Sequence, residues 1–214
     1  MTTSTRKHLL ATAAGLYGAN GFRGTTTRRI AEESGINEVT IFRLFGSKSA
    51  LLLEAIRAHG IGISAEELPL SPCDPLAELT DWSAHHWRML RARRGMIRQA
   101  MSEFETHPDI PGCMEDGATA VYTRLSLYFE RLQTTGFVDA CANVHAATTM
   151  LLSALVQDAI ARDVYPELFP YPSGSAPAAY ARLALLALGC DPQFAKAFRY
   201  DEEQYQGQGV LELV

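Results

Sequence analysis

Nine side chains spread over 23 positions carry groups suited to a nucleic-acid duplex: Thr26, Arg28, Asn37, Glu38, Val39, Thr40, Phe42, Arg43 and Lys48. Thr26, Arg28 and Lys48 can meet phosphate oxygens, while Asn37, Glu38, Val39, Thr40, Phe42 and Arg43 lie where side chains reach base edges. Glu38 could accept a hydrogen bond from a cytosine amino group, and Val39 could pack on a thymine methyl. Glu38 could equally point to solvent or pair with Arg43. Lys48 would add its charge to the positive end of a helix, a double attraction for phosphate.

A second set has a different chemistry. Trp82, His86 and Met89 share one face of a helix expected over 76–93, and Phe104, Tyr122 and Phe129 follow on later helical stretches. Large apolar side chains at that spacing either fill a core or line a pocket for a small apolar or amphipathic molecule. Between them runs a basic series, Arg88, Arg91, Arg93, Arg94 and Arg98. It reads as a solvated or acid-paired helix face, or as a site for an anionic ligand.

Other chemistries find little footing. Adjacent His85 and His86 face different sides of a helix and cannot share a metal at i, i+4 spacing. No nucleophile-base spacing, glycine-rich phosphate loop or paired-carboxylate motif stands out, so no catalytic residue, metal or cofactor is expected. Cys73, Cys113, Cys141 and Cys190 lie far apart without a C-x-x-C pair, as in a cytoplasmic protein with reduced thiols. A thiol sensor would need one of them to be reactive.

These groups must be held by helices, because strand signals are nearly absent. Leu9, Leu10, Ala13, Leu16 and Tyr17 predict a helix from about Thr5 to Ala19, ended by Asn20-Gly21. Thr25 or Thr26 caps the next, which runs to Ser34, and Gly35 makes the turn. Asn37 caps a short helix to about Leu44, Gly46 breaks it, and Ser47 caps a long one from Lys48 to about His59. Ile30, Ala31, Ile36 and Ile41 have the spacing to pack the two short helices together. The stretch from Gly60 to Pro75 is irregular. Helices are then expected near 76–93, 94–107, 112–135 and 138–163, with a last one from Pro177 to Gly189. The tail DEEQYQGQGVLELV is expected to be partly disordered or to dock by Val210, Leu211, Leu213 and Val214.

Two of these segments are uncharged almost throughout. Ala140 to Gln157 holds no Asp, Glu, Lys or Arg, and Pro177 to Gly189 holds only Arg182. A helix apolar on every side must be covered on every side. The helices near 140–160 and 177–189 are therefore expected to form a homodimer interface or, failing that, a central core. Arg6 and Lys7 before LLATAAGLYG imitate a signal peptide, but the apolar part is short and runs straight into the next helix. No membrane partner is expected, since no apolar stretch reaches the ~20 residues that span a bilayer.

Charge divides the chain of 214 residues in two. Residues 1–60 hold eight Lys/Arg and four Asp/Glu, whereas the remainder holds 11 Lys/Arg and 20 Asp/Glu. The overall charge of −5 thus conceals a head of +4 on a body of −9. Such a molecule suits contact with phosphate at one end only.

The head closely resembles the TetR family of bacterial transcriptional regulators. The resemblance rests on Gly21-Phe22, Thr25-Thr26, Ile30-Ala31, Ser34-Gly35-Ile36, Ile41-Phe42, Phe45, Ser47-Lys48 and Leu51. It covers about the first quarter of the chain. Phe42 stands where the family usually has tyrosine, so a phenolic hydrogen bond to phosphate is absent. Leu44 replaces a frequent histidine or tyrosine, and Glu38 and Val39 replace a basic or small residue and a glycine. The resemblance implies an all-α fold: a helix-turn-helix domain over 1–50, then a larger effector-binding and dimerisation domain over 51–214. It implies a cytoplasmic homodimer that represses transcription at a palindromic DNA operator and is released by a small apolar effector. The competing expectation is a helical small-molecule-binding or enzymatic protein that has lost specific DNA recognition.

Overall fold

The computed structural model describes residues 3–60 and 68–190. Among these residues the chain is helical, without strands, in nine α-helices: α1 (Thr3–Gly24), α2 (Thr27–Ser34), α3 (Glu38–Phe45), α4 (Lys48–His59), α5 (Pro75–Ala92), α6 (Arg94–Ser102), α7 (Asp109–Thr134), α8 (Val144–Ala161) and α9 (Ala176–Ala187). The expected all-α architecture is the one observed. The 201–214 tail lies outside the described residues.

Side-chain caps start the helices of the head. Thr26 Oγ1 accepts from Arg29 N–H, Asn37 Oδ1 from Val39 N–H and Ser47 Oγ from Ala50 N–H, at 2.9–3.2 Å. Each satisfies an amide that the helix itself leaves unpaired. Gly35, at φ 68°, turns the chain between α2 and α3, and Ile36 N–H closes the turn on the Ala31 carbonyl at 3.1 Å.

Several boundaries differ from the pattern in the sequence; α6, expected over 94–107, ends at Ser102. The first helix continues past Asn20 to Gly24, with a break at Gly21 (φ 69°, ψ −175°). That backbone is open essentially to glycine alone, and an added Cβ would come within 2.6 Å of Gln99 Nε2. The seventh helix begins at Asp109, so Pro111 falls in its first turn, where a missing N–H costs nothing. The eighth begins at Val144 rather than near 138, because Asn143 caps it through Ala146 N–H at 3.0 Å. Residues 138–143 instead make turns, tied to the end of α9 by Asp139 N–H on the Leu188 carbonyl at 2.9 Å.

Head and body share one hydrophobic core. Helix α1 packs on both α4 and α6, and α4 packs in turn on α7. In the body, α5 lies against α8 and α9. Asp158 of α8 is fully buried there. It accepts from Trp87 Nε1 at 2.7 Å, Tyr180 Oη at 2.7 Å and Arg162 Nε at 2.9 Å. Burial pushes its carboxyl pKa up, but the hydrogen bonds from Arg162, Tyr180 and Trp87 win, and the pKa falls below the usual value. Helix α8 is long and apolar enough by composition to cross a bilayer. The ionised cluster at Asp158 and its packing on α5, α7 and α9 mark it as a core helix.

Candidate nucleic-acid interface and effector region

The recognition candidate is α3, held by its apolar side. Ile41 and Phe45 are buried against Ile30 and the core, and Leu44 is half-buried. At 100° per residue the opposite side carries Val39 at its centre, flanked by Arg43 and Phe42. Val39 is 74% exposed and Phe42 47% exposed. Thr40 is half-buried, and Arg43 is exposed.

The remaining head residues divide by what they already touch. Asn37 and Thr26 spend a side-chain oxygen on caps. Glu38 turns back to α2, where its Oε1 accepts from Thr27 Oγ1 at 2.6 Å. Glu38 is therefore not simply turned to solvent, and Thr27 is a partner that its spacing did not indicate. Arg28 forms an exposed i, i+4 pair with Glu32 at 3.0 Å, worth only a few tenths of a kcal/mol (about 0.3–0.5). Lys48 Nζ donates to the Phe22 carbonyl at 2.7 Å and lies 4.9 Å from the centre of the Phe22 ring.

Those Phe22 contacts reach the body through Glu103, a residue to which no sequence motif points. Glu103 Oε1 accepts from Phe22 N–H at 3.0 Å and from Gln99 Nε2 at 2.8 Å, and its Oε2 accepts from Tyr17 Oη at 2.9 Å. His107 stacks on the Phe22 ring at 4.0 Å. Burial raises the Glu103 pKa, yet these donors and the nearby His107 outweigh it and hold the carboxyl below its ordinary range. The same contact, after burial, pushes the Tyr17 hydroxyl well up. One carboxylate at the end of α6 therefore fastens the kink of α1.

In the body the six expected ligand residues separate. Trp82 and His86 are buried and stack face to face, with centroids 5.0 Å apart. Met89 is half-buried one turn further along α5. Tyr122 turns to α8, where it meets the His145 ring at 6.2 Å and its hydroxyl lies 3.3 Å from Nδ1. Phe129 is fully buried beside Tyr128, and Phe104 packs half-buried at the core margin. On α5, His86 Nδ1, Ser83 Oγ and Thr80 Oγ1 are buried without a hydrogen-bond partner. Burial, then the charges of His85 and Arg93, bring the His86 pKa down to about 4.

The arginine run is acid-paired and carbonyl-bound. Arg91, Arg94 and Arg98 converge on Asp163 just after α8. Arg91 and Arg98 also donate to the Ala159 and Ile160 carbonyls, and Arg93 donates to the Gly60 carbonyl. None of the four cysteines is in a disulfide, and burial raises the Cys113 pKa. Among the described residues no group of three His, Cys, Asp or Glu is placed to hold a metal.

Helices α2 and α3, joined at Gly35, define a helix-turn-helix protein. Residues 9–55 match the model of the bacterial regulatory proteins of the tetR family. A relative from Bacillus subtilis (strain 168), named "Uncharacterized HTH-type transcriptional regulator YvkB", is 40% identical over 55 residues. That match covers 26% of this chain and 29% of the relative, so this chain spans under a third of that protein's length. Two solved structures share the fold over nearly the whole chain. A putative TetR-family regulator from Mesorhizobium loti MAFF303099 aligns with TM-score 0.67 and 15% identity, covering 88% of this chain and 100% of that one. One from Rhodococcus sp. aligns with TM-score 0.69 and 11% identity, with the same coverage. The N-terminal region is thus similar in sequence to the tetR family, and the rest of the chain shares the fold of the two solved structures.

Proposed function

We propose that the protein is a ligand-responsive transcriptional regulator that binds double-stranded DNA. Its most natural role is a cytoplasmic repressor released by a small, uncharged, largely apolar effector. The observation that carries this reading is the solvent-facing side of α3, presented on a head of charge +4. The first turn of a recognition helix enters the major groove, and phosphate contacts fix its register.

Dimerisation supplies the second half-site. On α8 the exposed positions are His145, Ala146, Thr149, Met150, Ser153 and Gln157, and on α9 Leu183 and Leu186 are exposed. Met150 at 61% and Leu183 at 58% exposure form an uncharged surface that a second copy would cover. Two recognition helices would then sit ~34–36 Å apart on DNA. For the effector, the stacked Trp82–His86 pair and the unpartnered polar atoms of α5 supply apolar area and a few hydrogen-bonding groups. A neutral His86 favours an uncharged molecule.

Selection of bound fragments from random duplex DNA tests the reading. Enrichment of a two-fold symmetric sequence supports it. Recovery of no enriched sequence would instead favour a helical ligand-binding or enzymatic protein that does not read DNA. The engagement of Lys48 by Phe22 gives that rival its one structural support.

A further inference from the structure

The solvent side of α3 is chemically unusual for a surface that must meet a polar groove. Its centre is Val39, and Phe42 lies one turn further on, both strongly exposed. Two large apolar side chains exposed side by side form a small apolar patch at the centre of this face. The acidic neighbour that could read a cytosine amino group has one oxygen drawn back to α2, where Glu38 Oε1 takes the Thr27 hydroxyl at 2.6 Å. Asn37 points its side-chain oxygen at the Val39 amide, 2.9 Å away, as the cap of α3. Arg43, exposed one turn beyond Val39 on the same side, sets positive charge beside the apolar pair.

Resting on the DNA-binding reading above, we infer that α3 reads its operator chiefly through thymine: Val39, extended by Phe42, packs on thymine C5-methyl groups in the major groove. Thymine is the base whose major-groove edge offers an apolar group. The neighbouring positive charge complements the phosphates that border such a methyl. A protein partner or a lipid surface would use the apolar pair but would not distinguish thymine from uracil.

The test uses the full-length protein and a duplex recovered by selection from random DNA, at one fixed salt concentration. Each thymine in a half-site is replaced in turn by deoxyuridine, which removes only the methyl. Affinity should fall about fourfold for each methyl that packs on the helix, and roughly fifteenfold when both half-sites are changed, from the transfer free energy of one buried carbon. In Val39→Ala that sensitivity should shrink to under about twofold at the same position, because the partner of the methyl is gone. Val39 is exposed and alanine favours a helix, so the variant keeps its fold. Phe42→Ala, measured in parallel, should lower sensitivity at a neighbouring thymine. A selected duplex whose affinity ignores every thymine-to-uracil change overturns the inference while leaving DNA binding intact. So does a methyl effect that is undiminished in both variants. Recovery of no duplex overturns both.

Discussion

Head and body differ in where their polar side chains are spent. In the head the helix starts are set locally: Thr26, Asn37 and Ser47 each satisfy an amide two or three residues away, while Lys48–Phe22 and Arg6–Glu54 tie the helices together. In the body such side chains reach far along the chain: Trp87 meets Asp158 across 71 residues, and Tyr128 donates to Glu78 across 50. A head whose helix starts are set locally can devote its outer side to a partner, and α3 leaves Val39 and Phe42 in solvent. A body held by buried polar groups must keep every one of them partnered, or bring in a ligand to do so. Glu103 lies on the border, with one carboxylate holding Tyr17 and Phe22 of the head.

If this contrast is sound, the largest loss comes from the body. Asp158→Asn removes the charge that partners Arg162 and disturbs the bonds to Trp87 and Tyr180. Breaking one side of a buried pair costs about 3–5 kcal/mol, to be read from urea midpoints at unchanged slope. A loss no greater than that of a head cap would break the comparison.

The next effect depends on pH. His86 falls from an ordinary 6.5 in the unfolded chain to about 4 in the folded one. Between those values the unfolded state binds more protons, so stability rises as pH rises from 4 to 6.5. The span amounts to roughly 3 kcal/mol. His86→Gln should flatten that part of the stability curve, and a variant that keeps the full slope would assign it elsewhere.

At the border, Gly21→Ala places a Cβ against Gln99 and Glu103 in a backbone region that alanine avoids. The strain is about 1–3 kcal/mol. It should appear as a lower melting temperature that is not rescued by Glu103→Gln alone. The smallest change belongs to the head: Ser47→Ala removes the α4 cap for about 1 kcal/mol. Equal costs for Ser47→Ala and Asp158→Asn would erase the distinction between local and remote order.

The same distinction governs what the sequence discloses. Caps and the Gly35 turn act over two to five residues, so their pattern locates α2, α3 and α4 to within a residue or two. The α8 boundary is less legible, because Asn143 competes with an apolar run that begins earlier. The Glu103 contacts and the Thr27 partner of Glu38 bring together residues that no spacing rule connects. The expected ligand residues share helical spacing, but Tyr122 turns to His145 while Phe129 is fully buried. Periodicity identifies the buried side of a helix and not the neighbour it meets there.

The most direct test of a head that meets phosphate and a body that does not is the salt dependence of DNA binding. Affinity for a selected duplex is measured across salt for the wild-type protein, for Arg28→Ala in the head and for Arg88→Ala in the body. Both arginines are exposed. The account predicts that the slope of log affinity against log salt falls by about 0.9 for each phosphate that Arg28→Ala no longer neutralises, and is unchanged in Arg88→Ala. A slope near zero in the wild-type protein, or one lowered by Arg88→Ala and not by Arg28→Ala, would contradict it.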